Sequence, residues 1–328
     1  MPDPLVSIVV LTWNSRDVAE EAVRSALAQE GAPVETIVVD NASTDDTPNA
    51  LARRFGDAAR IVRLERNHGY TGGHNRALAL ARGEFVLLLN PDARLAPDFV
   101  AQALPAFADP RVGIVAGRLM RPDGATVDSA GLFLGRSRKV VDRGYGRPLD
   151  SSLLRPGPVL SACGAAALYR RTMIRDVSDG ADFFSSDFFA FTEDLEIGWR
   201  AWRAGWKAVY EPRAQAIHLR GGGAKAGRLG SSFSRGDDVT LMAARNRYLT
   251  MLRHDRWGAL LLDAPFVLAR EAALWAALLL KRPGVARRRV FGCGGAFARA
   301  LYARGADRRR VGAWGEWRRG VPPRGVWS

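Results

Sequence analysis

The sequence predicts an α/β protein, a doubly wound and mostly parallel sheet followed by a C-terminal helical appendage. Three observations carry this reading. Short apolar runs alternate four times with helix-period segments over residues 6–90, the pattern of successive βαβ units. One of these runs, Glu84 to Asp92 (EFVLLLNPD), is bounded by Gly83 and Pro91 and ends in a carboxylate, as a buried strand exiting at a ligand-binding sheet edge does. The charge is also divided: from Arg220 onward 22 Lys/Arg stand against 7 Asp/Glu, a net +15, whereas residues 1–219 hold 26 and 27, a net −1. A near-neutral body over residues 1–235 and a basic helical region over residues 236–328 follow as the expected domains.

In chain order, Val6 to Thr12 reads as strand one. Ser15 is a candidate cap for a helix reaching about Gln29, with Asp17, Glu20 and Glu21 in its first turn and Val18, Ala22, Val23, Ala26 and Leu27 as its apolar stripe. Glu35 to Asp40 (ETIVVD) is strand two, and the polar turn Asn41 to Asp46 opens a helix ending near Phe55. Arg60 to Glu65 is strand three. A glycine-rich turn, Asn67 to Gly73, opens a helix to Ala81, and Phe85 to Asn90 is strand four. Asp40 and Asp92 therefore share one sheet edge.

After a helix near Asp98 to Phe107 the pattern loosens. Val112 to Met120 and Val159 to Tyr169 read as strands, and residues 121–157, rich in Gly, Arg and Ser, as a mobile loop beside a site. Phe188 to Thr192 leads into a helix carrying Glu193, Asp194 and Glu196. Lys207 to Tyr210 and Gln215 to His218 read as two short strands, and Gly221–Gly223 breaks the pattern. Residues 238–282 are helical in period. Trp257 to Leu280 is apolar, but Asp263, Arg270 and Glu271 interrupt it. Asp263, Arg270 and Lys281 fall on one face, which suits an amphipathic helix on a membrane or packed on the body rather than a span.

At 47% hydrophobic and 25% charged, the chain of 328 residues is globular rather than disordered. Its two cysteines, Cys163 and Cys293, form neither a disulfide framework nor a zinc spacing, and the N-terminus lacks a basic signal region, so a cytoplasmic setting is expected. Asp40, Asn41 and Asp45 after strand two, Asp92 after strand four, the Glu193–Asp194 pair and His218 make an oxygen-rich set suited to Mg²⁺ or Mn²⁺. Each has a plainer reading taken singly: Asn-Pro-Asp as a turn, Asp45 as a helix cap, Glu193 and Asp194 as first-turn charges, Trp199, Trp202 and Trp206 as core. His68 and His74 belong either against a diphosphate or in a solvated loop.

Five segments, in order, carry a resemblance: Ser7–Asn14 (SIVVLTWN), Val38–Asp46 (VVDNASTDD), Asn67–Asn75 (NHGYTGGHN), Leu88–Asp92 (LLNPD) and Thr192–Arg200 (TEDLEIGWR). Over about residues 5–250 the chain resembles GT-A fold, family 2 inverting glycosyltransferases, most nearly the rhamnosyl- and galactofuranosyl-transferase branch of bacterial cell-wall and polysaccharide synthesis. The resemblance implies a nucleoside-diphosphate-sugar donor and a glycan or polyprenyl-diphosphate-linked acceptor. It implies that Asp40, with Thr12, Asn14 and Asn41, binds the nucleotide, with Gly72, Asn75 and Asn90 also on the donor side. Asp92 and His218 would hold the divalent cation, Asp194 beside Glu193 would be the general base, and Glu196 and Trp199 would meet the acceptor. Two positions depart from the family pattern. Asn90 stands where the DXD-like motif has its first acid, and the Gln-x-x-Arg-Trp motif of processive synthases is absent, which implies one or few sugars per acceptor. The basic tail is expected to meet anionic lipid at the inner membrane face. A nucleotidyltransferase, a nucleic-acid-binding protein and a catalytically silent sugar-nucleotide binder are the competing readings. The first would need a basic glycine-rich loop after strand one. The second leaves Asp40, Asp92 and Asp194 without a role.

Overall fold

The computed structural model describes residues 6–220, 237–281 and 294–307. Four strands, β1 (Val6–Thr12), β2 (Val34–Asp40), β3 (Arg60–Arg63) and β4 (Phe85–Leu89), form a parallel set in the order β3-β2-β1-β4. The helices between them are α1 (Ala19–Leu27), α2 (Thr47–Phe55) and α3 (Gly69–Leu80). β1 and β4 are buried along their whole length and β2 over Thr36–Asp40, as crossover helices on both faces require, whereas the edge strand β3 is partly exposed. Ile8, Val10, Val38, Leu87 and Leu89 pack under Ala22, Val23 and Ala26 of α1, and Val9, Leu11, Ile37, Val39 and Leu88 pack under Ala77 and Ala81 at α3. Each fully buried Val, Leu or Ile of this kind contributes about 1.5–3 kcal/mol.

Beyond β4 the sheet becomes mixed. β5 (Ala93–Leu95) pairs with the long β12 (Lys207–His218). β6 (Val112–Met120) is flanked by β11 (Ala166–Arg170), antiparallel to both β4 and β6, and by β12, parallel to β6. The full order is β10-β12-β6-β11-β4-β1-β2-β3, with β10 (Gly157–Val159) at one edge and β7 (Val127–Ser129) added to β6. Because β11 runs against β4, it begins at the edge where β4 ends: Ala166 pairs with Leu89. β12 runs with β6 and ends at the same edge.

Several expected boundaries move. Ser15 does not cap α1; the helix starts at Ala19, and the Ser15 hydroxyl donates to the Trp13 carbonyl. α2 keeps its expected place: it starts at Thr47, directly after the polar turn, and the Thr47 N–H donates to Asp45 Oδ1 at 3.0 Å. The glycine-rich turn is itself the first part of α3. The single strand read over Val159 to Tyr169 is split into β10 and β11. The two strands read over 207–218 are one, with a register shift between Glu211 and Gln215.

The larger correction concerns residues 121–157. They are not a loose loop. They form β7, a hairpin of β8 (Leu132–Leu134) with β9 (Val140–Asp142), and a short 3₁₀ turn over Ser151–Leu154, and they bury Asp128, Phe133 and Arg138. Polar composition suggested mobility, but the hydrophobic side chains at 127, 132, 133, 134 and 153 join the core.

The remaining helices are α4 (Phe99–Ala103), α5 (Arg171–Val177), α6 (Glu193–Arg203), α7 (Asp237–His254), α8 (Trp257–Leu262), α9 (Ala264–Lys281) and α10 (Gly294–Asp307). No helix among the described residues is long and apolar enough to cross a membrane. Of the residues on the expected polar face, Asp263 is turned to the body. Asp263 is 4% exposed and ends α8, bonded to Arg136 Nε at 2.7 Å and Arg138 Nη1 at 2.9 Å. Arg138 also grips Asp255 through two bonds, so one buried guanidinium fastens the C-terminal helices to the body. Gly221–Gly223 lie outside the described residues.

Candidate active site

The carboxyl edge collects the predicted residues in two groups. The first joins the ends of β1 and β2. Asp40 is fully buried; its Oδ1 accepts from Thr12 Oγ1 at 3.2 Å and from the Ser43 hydroxyl, and its Oδ2 accepts from Ser43 N at 3.0 Å. Asn14, at φ 46°, accepts from Thr44 N at 2.8 Å and donates its own N–H to Ser43. The left-handed backbone that Asn tolerates turns the chain back across β2 here. Asn41 donates to Asn67 Oδ1 and Gly69 O, and accepts from His68 N, binding the α3 turn to β2. Gly73 in that turn approaches Leu11 so closely that a Cβ would stand 2.7 Å from its Cδ1. Trp13, between Thr12 and Asn14, is 53% exposed at this rim.

The second group lies past β4 and β12. The Leu219 N–H donates to the Asp92 carbonyl at 2.9 Å, which registers the end of β12 against the Asn90–Asp92 turn. His218 Nε2 then stands 3.4 Å from Asp92 Oδ1. On its other side His218 Nδ1 is 2.8 Å from Asp128 Oδ2, and Arg220 bonds Asp128 Oδ1. Burial works against charge on the imidazole, but Asp128 and Asp92 outweigh it and push His218 up to about 9. Burial likewise opposes ionisation of Asp128, and the bonds from His218 and Arg220 hold its carboxyl below the usual range. No group of three His, Cys, Asp or Glu side chains among the described residues is arranged to hold a metal ion; Asp92 and His218 would supply two donors once the imidazole proton facing Asp92 is displaced, with Asp128 on the far ring nitrogen as in carboxylate–histidine–metal arrangements. Mg²⁺ and Mn²⁺ sites of this class use one or two protein groups and complete their shell with diphosphate oxygens.

Between these groups sits the acid pair at the start of α6. Asp194 Oδ2 accepts from Gly164 N at 3.3 Å, its Oδ1 from Leu195 N at 2.8 Å, and its carbonyl from Ser161 Oγ. Tyr70 in turn donates to Gly164 O. Glu193 is buried, and its Oε2 has no hydrogen-bond partner among the described residues. A helix N-terminus favours carboxylate charge, yet burial dominates: it raises Asp194, and with Asp194 beside it Glu193 rises to about 8. Burial also lifts Asp142, on β9, to about 6 despite its bond from Ser129.

The approach to the acid pair is strained. Phe191 and Thr192 both have positive φ, 72° and 73°, without being glycine. Such a pair costs energy and persists where surrounding contacts hold it. Asn246 of α7 supplies the hold, its buried amide donating to the carbonyls of Ala190 and Phe191 at 2.8 Å each. Gly198 lets α6 sit against the chain at Leu160, where a Cβ would meet the Leu160 carbonyl at 2.4 Å.

Other predicted residues lie differently. Glu196 is 1% exposed, bonded to His254 Nε2 at 2.7 Å and to Arg200. Burial alone would raise its carboxyl, but Arg200 and His254 hold it down at about 2. Trp199 is buried with Leu134, Leu160 and Leu195. Asn75 exchanges bonds with the Phe184 backbone in both directions. Gly72 lies within α3 over His68. His74 is fully buried between Tyr70 and Phe184, not solvated, and burial lowers it to about 3. Asp128, Asp142, Arg220 and Asn246 were missed. Asp128 and Asp142 lie in the stretch read as loop, and the sequence offers no local signal for them. Asn246 stands in an unbroken helical pattern.

A family model described as glycosyl transferase family 2 matches residues 7–178. Among curated relatives, the succinoglycan biosynthesis protein ExoO of Rhizobium meliloti is 41% identical over 95 residues, 29% of this chain and 27% of that protein. An N-acetylglucosaminyl-diphospho-decaprenol L-rhamnosyltransferase of Mycobacterium tuberculosis is 28% identical over 237 residues, 65% of this chain and 76% of that protein. The chain thus spans about a quarter of the first relative and three quarters of the second. Among solved structures, S. aureus TarS 1-349 superposes with a TM-score of 0.57 at 18% identity, over 95% of this chain and 89% of that one. The mannosyltransferase PcManGT of Pyrobaculum calidifontis, solved with GDP-Man and Mn²⁺, does so with 0.55 at 20% identity, over 94% and 90%. These likenesses bear out the GT-A fold.

Proposed function

Because the chain belongs to glycosyl transferase family 2, and so is a nucleotide-sugar-dependent transferase, we propose that it moves a rhamnose-like or galactofuranose-like sugar, with inversion, onto a hydroxyl of a glycan or lipid-linked acceptor. The observation that carries this is the convergence on one sheet edge of the Asp40 network, the Asp92–His218 pair and the Glu193–Asp194 pair. The Asp40 group binds the nucleoside. A divalent cation held by Asp92 and His218 would stabilise charge developing on the leaving diphosphate. Asp194, its carboxylate anchored by Gly164 N–H, takes the proton of the acceptor hydroxyl as that oxygen attacks the anomeric carbon from the face opposite the diphosphate. The raised proton affinity of the buried acid pair supports this role, since a base must hold the proton it takes. The decaprenol-linked substrate in the mycobacterial relative's name supports a polyprenyl-diphosphate acceptor. The +15 charge from Arg220 onward supports docking at an anionic, cytoplasmic membrane face.

A screen of nucleotide sugars by thermal shift, with and without Mn²⁺, identifies the donor. With that donor, Asp194→Asn keeps donor affinity and loses transfer by a factor of about 10² or more. Full transfer by this variant overturns the assigned base.

A further inference from the structure

The C-terminal helices line an apolar pocket that is partly open to solvent. α7, α8, α9 and α10 surround a cavity of about 560 Å³, lined by Met251, Leu252, Trp257, Leu260, Trp275 and Phe297. Its size falls within the range of small-molecule sites. Its polar neighbours are already engaged. Glu271 accepts from Arg247 and Tyr248, and Trp275 Nε1 donates to Tyr248 Oη. Arg304 donates to the carbonyls of Leu252 and Asp255 while its guanidinium lies 4.2 Å over Trp257. The walls thus offer an occupant apolar surface and little directional hydrogen bonding, so the suited occupant is a hydrocarbon.

The surroundings point to where that hydrocarbon comes from. Asp263 is drawn inward by Arg136 and Arg138, which turns the apolar side of α8 and α9 outward. Leu261, Leu262 and Leu268 are 74%, 65% and 66% exposed. Large exposed apolar surface of this kind marks an interaction face, and the sequence from Arg220 onward carries a net +15, complementing a phosphorylated lipid.

We propose that this cavity receives the hydrocarbon chain of the lipid-linked acceptor, a proposal that rests on the lipid-acceptor reading above. Calorimetric titration of the full chain with dodecyl phosphate, beside inorganic phosphate, tests it. Dodecyl phosphate binds and inorganic phosphate does not. Leu260→Trp, which fills the cavity from α8, weakens dodecyl phosphate binding about tenfold or more, as does Met251→Trp from α7. Leu268→Gln, on the exposed face outside the cavity, leaves binding unchanged. In transfer assays the two filling variants raise the KM for a long-chain acceptor and leave the donor KM and turnover of a chain-free acceptor as in the parent. Equal binding of the two phosphates, or equal loss in Leu268→Gln and the filling variants, overturns the proposal. Capture of dodecyl phosphate that Leu260→Trp abolishes supports the cavity even where no lipid-linked acceptor is glycosylated, a result that would sink only the acceptor reading.

Discussion

Asp128 Oδ2 stands 2.8 Å from His218 Nδ1, so a carboxylate from the segment between β6 and β10 fixes the ring whose other nitrogen faces Asp92. Asp128→Asn preserves the shape and removes the charge that holds this ring nitrogen's proton. Outer-shell partners of this kind are worth about 10–100-fold in metal affinity. Titration of Mn²⁺ into the donor-bound variant should show a loss of that order, and unchanged affinity would remove Asp128 from the site.

The Asn246 amide donates to two carbonyls, Ala190 O and Phe191 O. A carboxylate of the same shape cannot donate to either. Asn246→Asp should therefore lower kcat at least as far as Asn246→Ala, each change destabilising the strained turn by about 1–3 kcal/mol. Donor KM should stay within about twofold. An Asp variant with parent activity would show that the amide donors do not matter.

Arg138 is 2% exposed and pairs with Asp255 and Asp263, both buried. Replacing it by Met leaves the buried Asp255 without its partner, while Asp263 keeps Arg136, and stranding a buried charge typically costs about 3–5 kcal/mol. Urea unfolding of Arg138→Met should show a loss in this range. Limited proteolysis should cut first in α8 and α9, since one of their ties to the body is removed and Arg136 alone is left on Asp263.

Glu193 rises from its ordinary value of 4.5 to about 8 through burial and its neighbour Asp194. The folded chain then keeps a proton that the unfolded chain releases. The stabilisation from this proton is complete below about pH 4.5 and is lost as pH rises through about 8. Glu193→Gln cannot lose a proton, so its Tm should exceed the parent's at pH 8.5, by about 2–4 °C per kcal/mol regained, and match it near pH 4. The rate of transfer should rise with pH over the same window as the pair deprotonates.

His74 works in the opposite direction. Burial lowers it from 6.5 to about 3, so the unfolded chain takes up a proton that the folded chain refuses. Stability is unaffected above about pH 6.5 and falls as pH drops toward 3. His74→Phe, set between Tyr70 and Phe184, should flatten that part of the stability–pH curve; an unchanged slope would place the acid sensitivity elsewhere.

The parallel half of the sheet was legible because its signals are local. Val6–Thr12, Glu35–Asp40 and Phe85–Asn90 are apolar runs punctuated by turn residues, and a parallel set brings their C-terminal ends to one edge. That alone aligned Thr12, Asp40 and Asp92, and the motif Thr192–Arg200 marked the acid pair. The sequence by itself thus determined the fold class, the edge and which carboxylates reach it. Only the tertiary structure decided which polar side chains lie along that edge and which pin the fold. Asp128 and Arg138 look alike in a polar stretch, yet one pairs with His218 and the other fastens α8, because burial and pairing depend on partners about 90 and 120 residues away. Glu196 and Trp199 share a motif with Asp194, but a helix turns successive side chains by about 100°, which points them at His254 and Leu160 while Asp194 meets Gly164.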